Sequence, residues 1–514
     1  MGIAAKLGAV DPSCSLGPAN QHGFIRGLSV LLLLWGLISA APAAAFGFAE
    51  VQALAAERAL EPHQPRSLPD NSPLRRLGYD DYRQIQFNPD AALWRDSPFQ
   101  IQLFLPGFLH TTPVRLNLVR NGETAPLPFA GRWFQFQNRP LNLSRLNPGG
   151  YAGFRVHHPI NQHDRFEEFL VFLGASYFRA VGRDQFYGIS ARGLAINTAA
   201  AAPEEFPDFT EFWLAQPEPN AESFTWFALL ESPSITGAFA FTVTPGTTTT
   251  MVVRKTLYPR VDLPDVGVAP LTSMFMFDAT NRAFFDDYRN AVHDSDGLLI
   301  APKEGTPIWR PMTNPGRFQV STFARNQALG RFGLMQRRNQ FAQFNDDEAR
   351  YDLRPSLWVE PLNDWGEGHV ELVEIPTLVE YLDNIVAYWQ PQGGLRAGEV
   401  YTFEYRMHWG SEPAAAGRIV DTAAGDSVNH DDRTFVIDFA GGRQHANNLE
   451  AVRILASTSA GEITGVSGTL VQATGHYRAY VRFAADDAEH ADLAVSLEVS
   501  GQPWGEQWHY RWTR

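Results

Sequence analysis

The chain carries a single cysteine, Cys14, in 514 residues, so neither a disulfide framework nor thiol catalysis can underlie it. It also lacks a basic stripe. Asp and Glu number 56 against 42 Lys and Arg, for a formal net charge of −14. Nucleic acid is thereby excluded as a principal partner, because a polyphosphate needs clustered cations. Ser190 has no GxSxG elbow around it, and Gly366-Glu367-Gly368 lacks the Lys and following helix of a phosphate loop. His157-His158 has no third ligand at a recognised metal spacing. Serine-hydrolase, nucleotide and metal chemistry are unsupported, and no cofactor is expected. Only one long apolar run exists, Gly27 to Ala41, preceded by Arg26 and followed by Ala43-Ala44-Ala45. It is shorter than the roughly 20 residues of a spanning helix. This is the pattern of a secretory signal, so residues 1–45 are expected to be removed near Ala45 and the protein to be periplasmic.

Aromatic residues are plentiful: 13 Trp, 15 Tyr and 36 Phe. Rings stack on pyranose faces and carboxylates accept hydroxyl protons, so an acidic, aromatic-rich chain suits sugar binding; it equally suits a large β core. Phe48 to Leu60 has apolar residues at helical spacing and predicts one short helix. Strand-like runs follow, among them Phe99–Leu105, Val114–Leu118, Gly153–Val156, Phe239–Val243 and Met251–Thr256. Gln390 to Gly398 reads as a linker. Beyond it seven strand-like runs begin at Val400–Trp409. The expected fold is all-β: a large sandwich over 46–389 and a small immunoglobulin-like one over 399–514.

Between Pro270 and Trp389, carboxylates recur beside aromatics, including Asp294, Asp296, Asp352, Glu360, Glu380 and Asp383. Glycoside cleavage needs two such groups, one protonated to serve the leaving oxygen and one to activate water. Composition alone does not choose the pair. Longer strings do carry a resemblance: YAGFRVHHPIN (Tyr151–Asn161), LGASYFRAVG (Leu173–Gly182), YGISARGLAI (Tyr187–Ile196), HDSDG (His293–Gly297), ARYDLRPSLWVEP (Ala349–Pro361) and EYLDN (Glu380–Asn384). In order and over nearly the whole mature chain, these resemble the osmoregulated periplasmic glucan biosynthesis proteins of the G and D types.

That resemblance implies a mutarotase-like sandwich joined to an immunoglobulin-like domain. It implies action on β-1,2-glucan by an anomer-inverting hydrolase or a related transglycosylase. A non-catalytic protein presenting nascent glucan to membrane glucosyltransferase or branching enzymes is the alternative. Carried over by motif, the general acid is Asp383 and the general base Asp294, with Asp296 the second choice. Tyr351, Glu380, Arg354 and Trp389 are expected around the substrate. The apolar run after Asp383, Ile385 to Trp389, offers the desolvation that an acid's raised pKa requires. Subtype and oligomeric state stay open, although a spare sheet edge permits a homodimer.

Overall fold

The computed structural model describes residues 45–136, 146–325, 327–427, 432–445 and 449–514. The apolar run expected to act as a signal lies outside them. Glu50 accepts the Gly47 amide at 2.7 Å and starts the helix Phe48–Ala59. Val51 and Ala55 on its buried face pack against Trp213, Leu229 and Ala238, and Thr236 Oγ1 donates to the Ala55 carbonyl at 2.7 Å.

Apart from short helical turns such as Tyr79–Tyr82 and Phe341–Phe344, the rest of the regular structure is strand. Among the described residues, nine strands of a ten-stranded sheet run from Gln100–Phe104 through Gly153–Gln162, Arg165–Leu173, Tyr177–Ala180, Ser190–Arg192, Val266–Ser273, Ile385–Pro391 and Gly368–Glu374 to Gln319–Phe323, and the tenth, Ala195–Ile196, pairs beside them with Val266–Ser273. Alternation along each strand sends one set of side chains inward. Phe154, Phe172 and Phe178 on this sheet meet Phe212, Trp226 and Phe241 from a second sheet of fourteen strands. Phe172 lies 5.5 Å from Trp226 and 5.4 Å from Phe241, both edge-on. Burying these rings against one another supplies the main driving force of the large sandwich. The opposite side chains of the ten-stranded sheet, Tyr177, Arg179, Ser190 and Arg192 among them, face away from that core.

Towards the C-terminus, Ile419–Asp426, Arg433–Phe439, His476–Ala484 and Glu462–Val471 form a four-stranded sheet. Its Phe435, Ile437 and Val481 share a core with Leu493, Val495 and Trp508. The strands carrying the latter continue the fourteen-stranded sheet, through the parallel pairs Ile308↔Gln507 and Trp309↔Trp508. A second sandwich is thus present, fused edge-on to the first, and Phe46–Arg514 forms one unit.

Two boundary expectations are corrected. Tyr401–Gly410 does not open the C-terminal sandwich; it lies between Thr249–Pro259 and Ser356–Pro361 in the fourteen-stranded sheet, with Phe403, Tyr405 and Met407 buried in the large core. Its place among the seven C-terminal strands is taken by Ile419–Asp426, whose small and polar residues gave little strand signal. Nor is Gln390–Gly398 a linker. Leu263 and Leu395 exchange backbone hydrogen bonds at 2.7 and 2.9 Å. Gly394 turns there with φ +69°, where a Cβ would stand 2.1 Å from the Leu263 carbonyl oxygen. The glycines serve a tight return inside the sheet.

Candidate active site

The segment Ile375–Asn384 leaves one strand of the ten-stranded sheet and returns to the next. Asn384 closes it. Its Oδ1 accepts from the Phe275 amide at 2.8 Å, and its Nδ2 donates to the carbonyls of Phe275 at 3.0 Å and Ile375 at 2.9 Å. Asn314 grips Thr377 in the same two-way manner, at 2.7 and 3.0 Å. Between these anchors the loop presents Leu378, Tyr381 and Leu382 to solvent, the first two each 81% exposed. A rigid base with open apolar side chains is the construction expected of a ligand-facing rim.

Asp383 stands at the end of this loop. Its side chain keeps a third of its surface open, yet the surrounding protein removes enough water to push its pKa up; the nearby charge of Asp294 adds to the rise and Arg179 opposes it. Arg179 reaches it from the sheet, with Nη2 3.7 Å from the Asp383 carboxylate.

Asp294 immediately follows the short strand Val292–His293. Its amide donates to the Met274 carbonyl at 2.8 Å, and its carboxylate is ion-paired with Arg354. The Arg354 guanidinium lies 4.3 Å above the Tyr351 ring and donates to the Ala349 carbonyl at 3.1 Å. Tyr351 Oη donates to Glu380 at 3.0 Å, and Glu380 also accepts from Arg289 at 2.6 Å. Arg289 is held in turn by Asp287 and the buried Asp346, at 2.8 and 3.0 Å. A continuous chain of contacts thus runs from Asp294 through Arg354, Tyr351 and Glu380 to Arg289, tying one carboxylate to the loop that bears the other.

Five of the residues singled out from sequence therefore come together: Asp294, Arg354, Tyr351, Glu380 and Asp383. Two do not. Asp296 is as buried as Asp294, 7% against 6% exposed, but its carboxylate is taken up by the amides of Arg337 at 3.1 Å and Arg338 at 2.9 Å; burial raises its pKa to about 6. Gly297 beside it makes no turn. It begins the strand Gly297–Pro302, and a Cβ there would meet the Trp309 ring at 2.2 Å. Trp389 is a core residue, 2% exposed, with its ring 5.2 Å from Trp365. Its neighbours alternate correctly for a strand, and the alternation puts Trp389 on the inner face. Sequence reasoning missed Arg289, Asp346 and the anchoring role of Asn384. Arg289 and Asp346 are 57 positions apart, and no spacing rule connects them. Among the described residues, no cluster of three or more His, Cys, Asp or Glu is placed to hold a metal.

Fold and site together define an all-β protein of two fused sandwiches, with a linked polar cluster in which two carboxylates are each faced by an arginine. Residues 46–512 match the family model described as "Periplasmic glucan biosynthesis protein, MdoG", and the chain belongs to that family. Similar curated proteins include "Glucans biosynthesis protein G" of Rhodopseudomonas palustris strain BisA53, 43% identical over 91% of this chain and 94% of that one. The same description is carried by a protein of Shewanella baltica strain OS155, 40% identical over 91% of this chain and 88% of its own. Among solved structures, a galactose mutarotase related enzyme of Lactobacillus acidophilus matches at TM-score 0.21 and 9% identity, over 58% of this chain and 98% of that one.

Proposed function

We propose that this member of the periplasmic glucan biosynthesis family is an enzyme, an anomer-inverting endo-β-1,2-glucanase or a transglycosylase of the same mechanism, that remodels glucan in the periplasm after export and loss of residues 1–45. Asp383 is the general acid and Asp294 the general base. The observation that carries this reading is the unlike setting of two neighbouring carboxylates. One is partly desolvated with a raised pKa, and the other is bound to a guanidinium. An open acid that holds its proton beside a carboxylate in direct contact with a guanidinium suits one residue to the acid role and the other to the base role.

In the reaction, the Asp383 proton passes to the glycosidic oxygen as its bond to the anomeric carbon breaks. Water attacks from the opposite face and gives its proton to Asp294, directly or through a substrate hydroxyl. Glu380 is open to solvent beside the two aspartates, and the buried Tyr351 holds it through its hydroxyl. The open side chains of Tyr381, Leu378 and Leu382 offer apolar faces to the sugar rings. Membrane glucan-synthesising enzymes are the partners this role implies.

The test is incubation of the mature protein with linear β-1,2-glucan, with product size followed chromatographically and the new anomer by NMR. Shortened or cyclised chains of inverted configuration, lost in Asp383→Asn and Asp294→Asn, support the proposal. Saturable glucan binding without any product would replace it with the presenting-protein role.

A further inference from the structure

Two of the strings that carry the family resemblance, LGASYFRAVG and YGISARGLAI, have no part in the acid, the base or the Tyr351–Glu380 contacts. In the fold they are adjacent antiparallel strands, Tyr177–Ala180 and Ser190–Arg192, with Tyr177 opposite Arg192 and Phe178 opposite Ala191. Phe178 and Ala191 enter the core at 1% and 0% exposure, so Arg179 emerges on the opposite face of the sheet. Ser190, fully buried, accepts from Arg179 Nε at 2.6 Å. That bond fixes the guanidinium plane and leaves a terminal nitrogen directed at Asp383. The neighbouring Arg192 is already engaged: Glu204 at 2.8 Å neutralises it, and Tyr177 and Phe206 enclose it at 5.4 and 5.3 Å. Among the described residues, Arg179 is paired with no carboxylate other than Asp383.

The separation of 3.7 Å is longer than a hydrogen bond. A close bidentate pair would strip the proton from an acid before it could be used. A free acid would gain no help once the proton had left. Resting on the proposed hydrolytic role, we infer that Arg179, oriented by Ser190, is a positioning residue that stabilises the Asp383 carboxylate as it forms during proton transfer to the leaving oxygen. Its benefit grows as negative charge develops on Asp383, the condition for lowering a barrier rather than tightening ground-state binding. No group is consumed. The O–H bond of Asp383 breaks, one forms on the leaving sugar, and Asp383 is reprotonated from solvent before the next turnover.

The experiment compares the wild type with Arg179→Gln and Arg179→Lys in two readouts. With glucan as substrate, the Gln variant is expected to lose roughly tenfold to a hundredfold in kcat with KM within about threefold. The alkaline limb of its rate profile should move up by about one pH unit, the effect of removing one cation at this range, and Lys should recover most of both. Without glucan, carboxyl 13C NMR of aspartate-labelled protein, with the Asp383 signal assigned by its absence in Asp383→Asn, should show the same upward move in the Gln variant. An unmoved Asp383 midpoint overturns the inference. So does a Gln variant in which KM rises while kcat and the limb stay put, since Arg179 would then be a sugar contact alone. A wild type that cleaves no glucan removes the hydrolase reading and with it any catalytic role for Arg179, whereas the NMR shift would still establish its pairing with Asp383.

Discussion

Lys255 offers a test of the physical picture of the large sandwich. It is fully buried, and its Nζ donates to the Gly193 carbonyl at 3.0 Å. The rings of Phe239, Tyr405 and Phe403 surround it at 5.5, 5.5 and 5.8 Å. Their faces recover only part of the lost hydration, and burial lowers its pKa to about 7 from 10.5. The unfolded chain therefore binds a proton that the folded chain gives up between pH 7 and 10.5, and folding stability rises with pH across that window. At 1.36 kcal/mol per unit, the buried amine costs about 4 kcal/mol at pH 7 and about 1 at pH 10. Lys255→Met removes this cost but leaves the Gly193 carbonyl without its donor, a loss of about 1–3 kcal/mol. The variant should accordingly be more stable than the wild type at pH 7, by about 1–3 kcal/mol, and equal or less stable at pH 10. For a chain of this size the unfolding entropy is about 1 kcal/mol/K, so the difference in Tm should swing by about 3 °C between the two pH values. Scanning calorimetry of both proteins at half-unit steps measures it. A difference in Tm that stays constant from pH 7 to 10 would refute the reasoning, because it would mean that Lys255 titrates alike in both states.

Asn384→Ala should cost about 1–3 kcal/mol in urea unfolding, since the buried Phe275 amide loses its acceptor. It should also reduce glucan cleavage about a hundredfold by releasing the Asp383 loop, as steady-state kinetics on the folded fraction would show. Glu374→Gln should be more damaging to the fold. Glu374, with no exposure, accepts from Arg310, Thr313 and Gln319, and stranding the Arg310 charge in the interior should cost about 3–5 kcal/mol by the same unfolding measurement. Gly297→Ala should lower stability by about 1–3 kcal/mol, because the added Cβ must displace the Trp309 ring; a variant with unchanged Tm would show that this ring is free to move.

Much of the molecule was legible in the order of its residues. Alternation with period two, the turn clusters and the one helical stretch at Phe48 determined an all-β chain, because side-chain direction is a local property of the backbone. The motif strings determined which carboxylates to examine: Asp294, Arg354, Tyr351 and Glu380 are joined by contacts, and Asp383 stands on the same loop as Glu380. Only the tertiary structure decided which sheet each strand joined. The pattern of Tyr401–Gly410 specifies an inner and an outer face but not a partner, and its partners are the distant Thr249–Pro259 and the nearer Ser356–Pro361. The same limit governs the sites. Trp389 and Asp383 are six positions apart, yet one lies in the core and the other is open to solvent beside Arg179; Asp294 and Asp296 are two apart, yet one meets Arg354 and the other the amides of Arg337 and Arg338. Sequence sets the chemistry and local direction of a side chain, whereas its burial, charge partners and pKa depend on what distant strands bring against it.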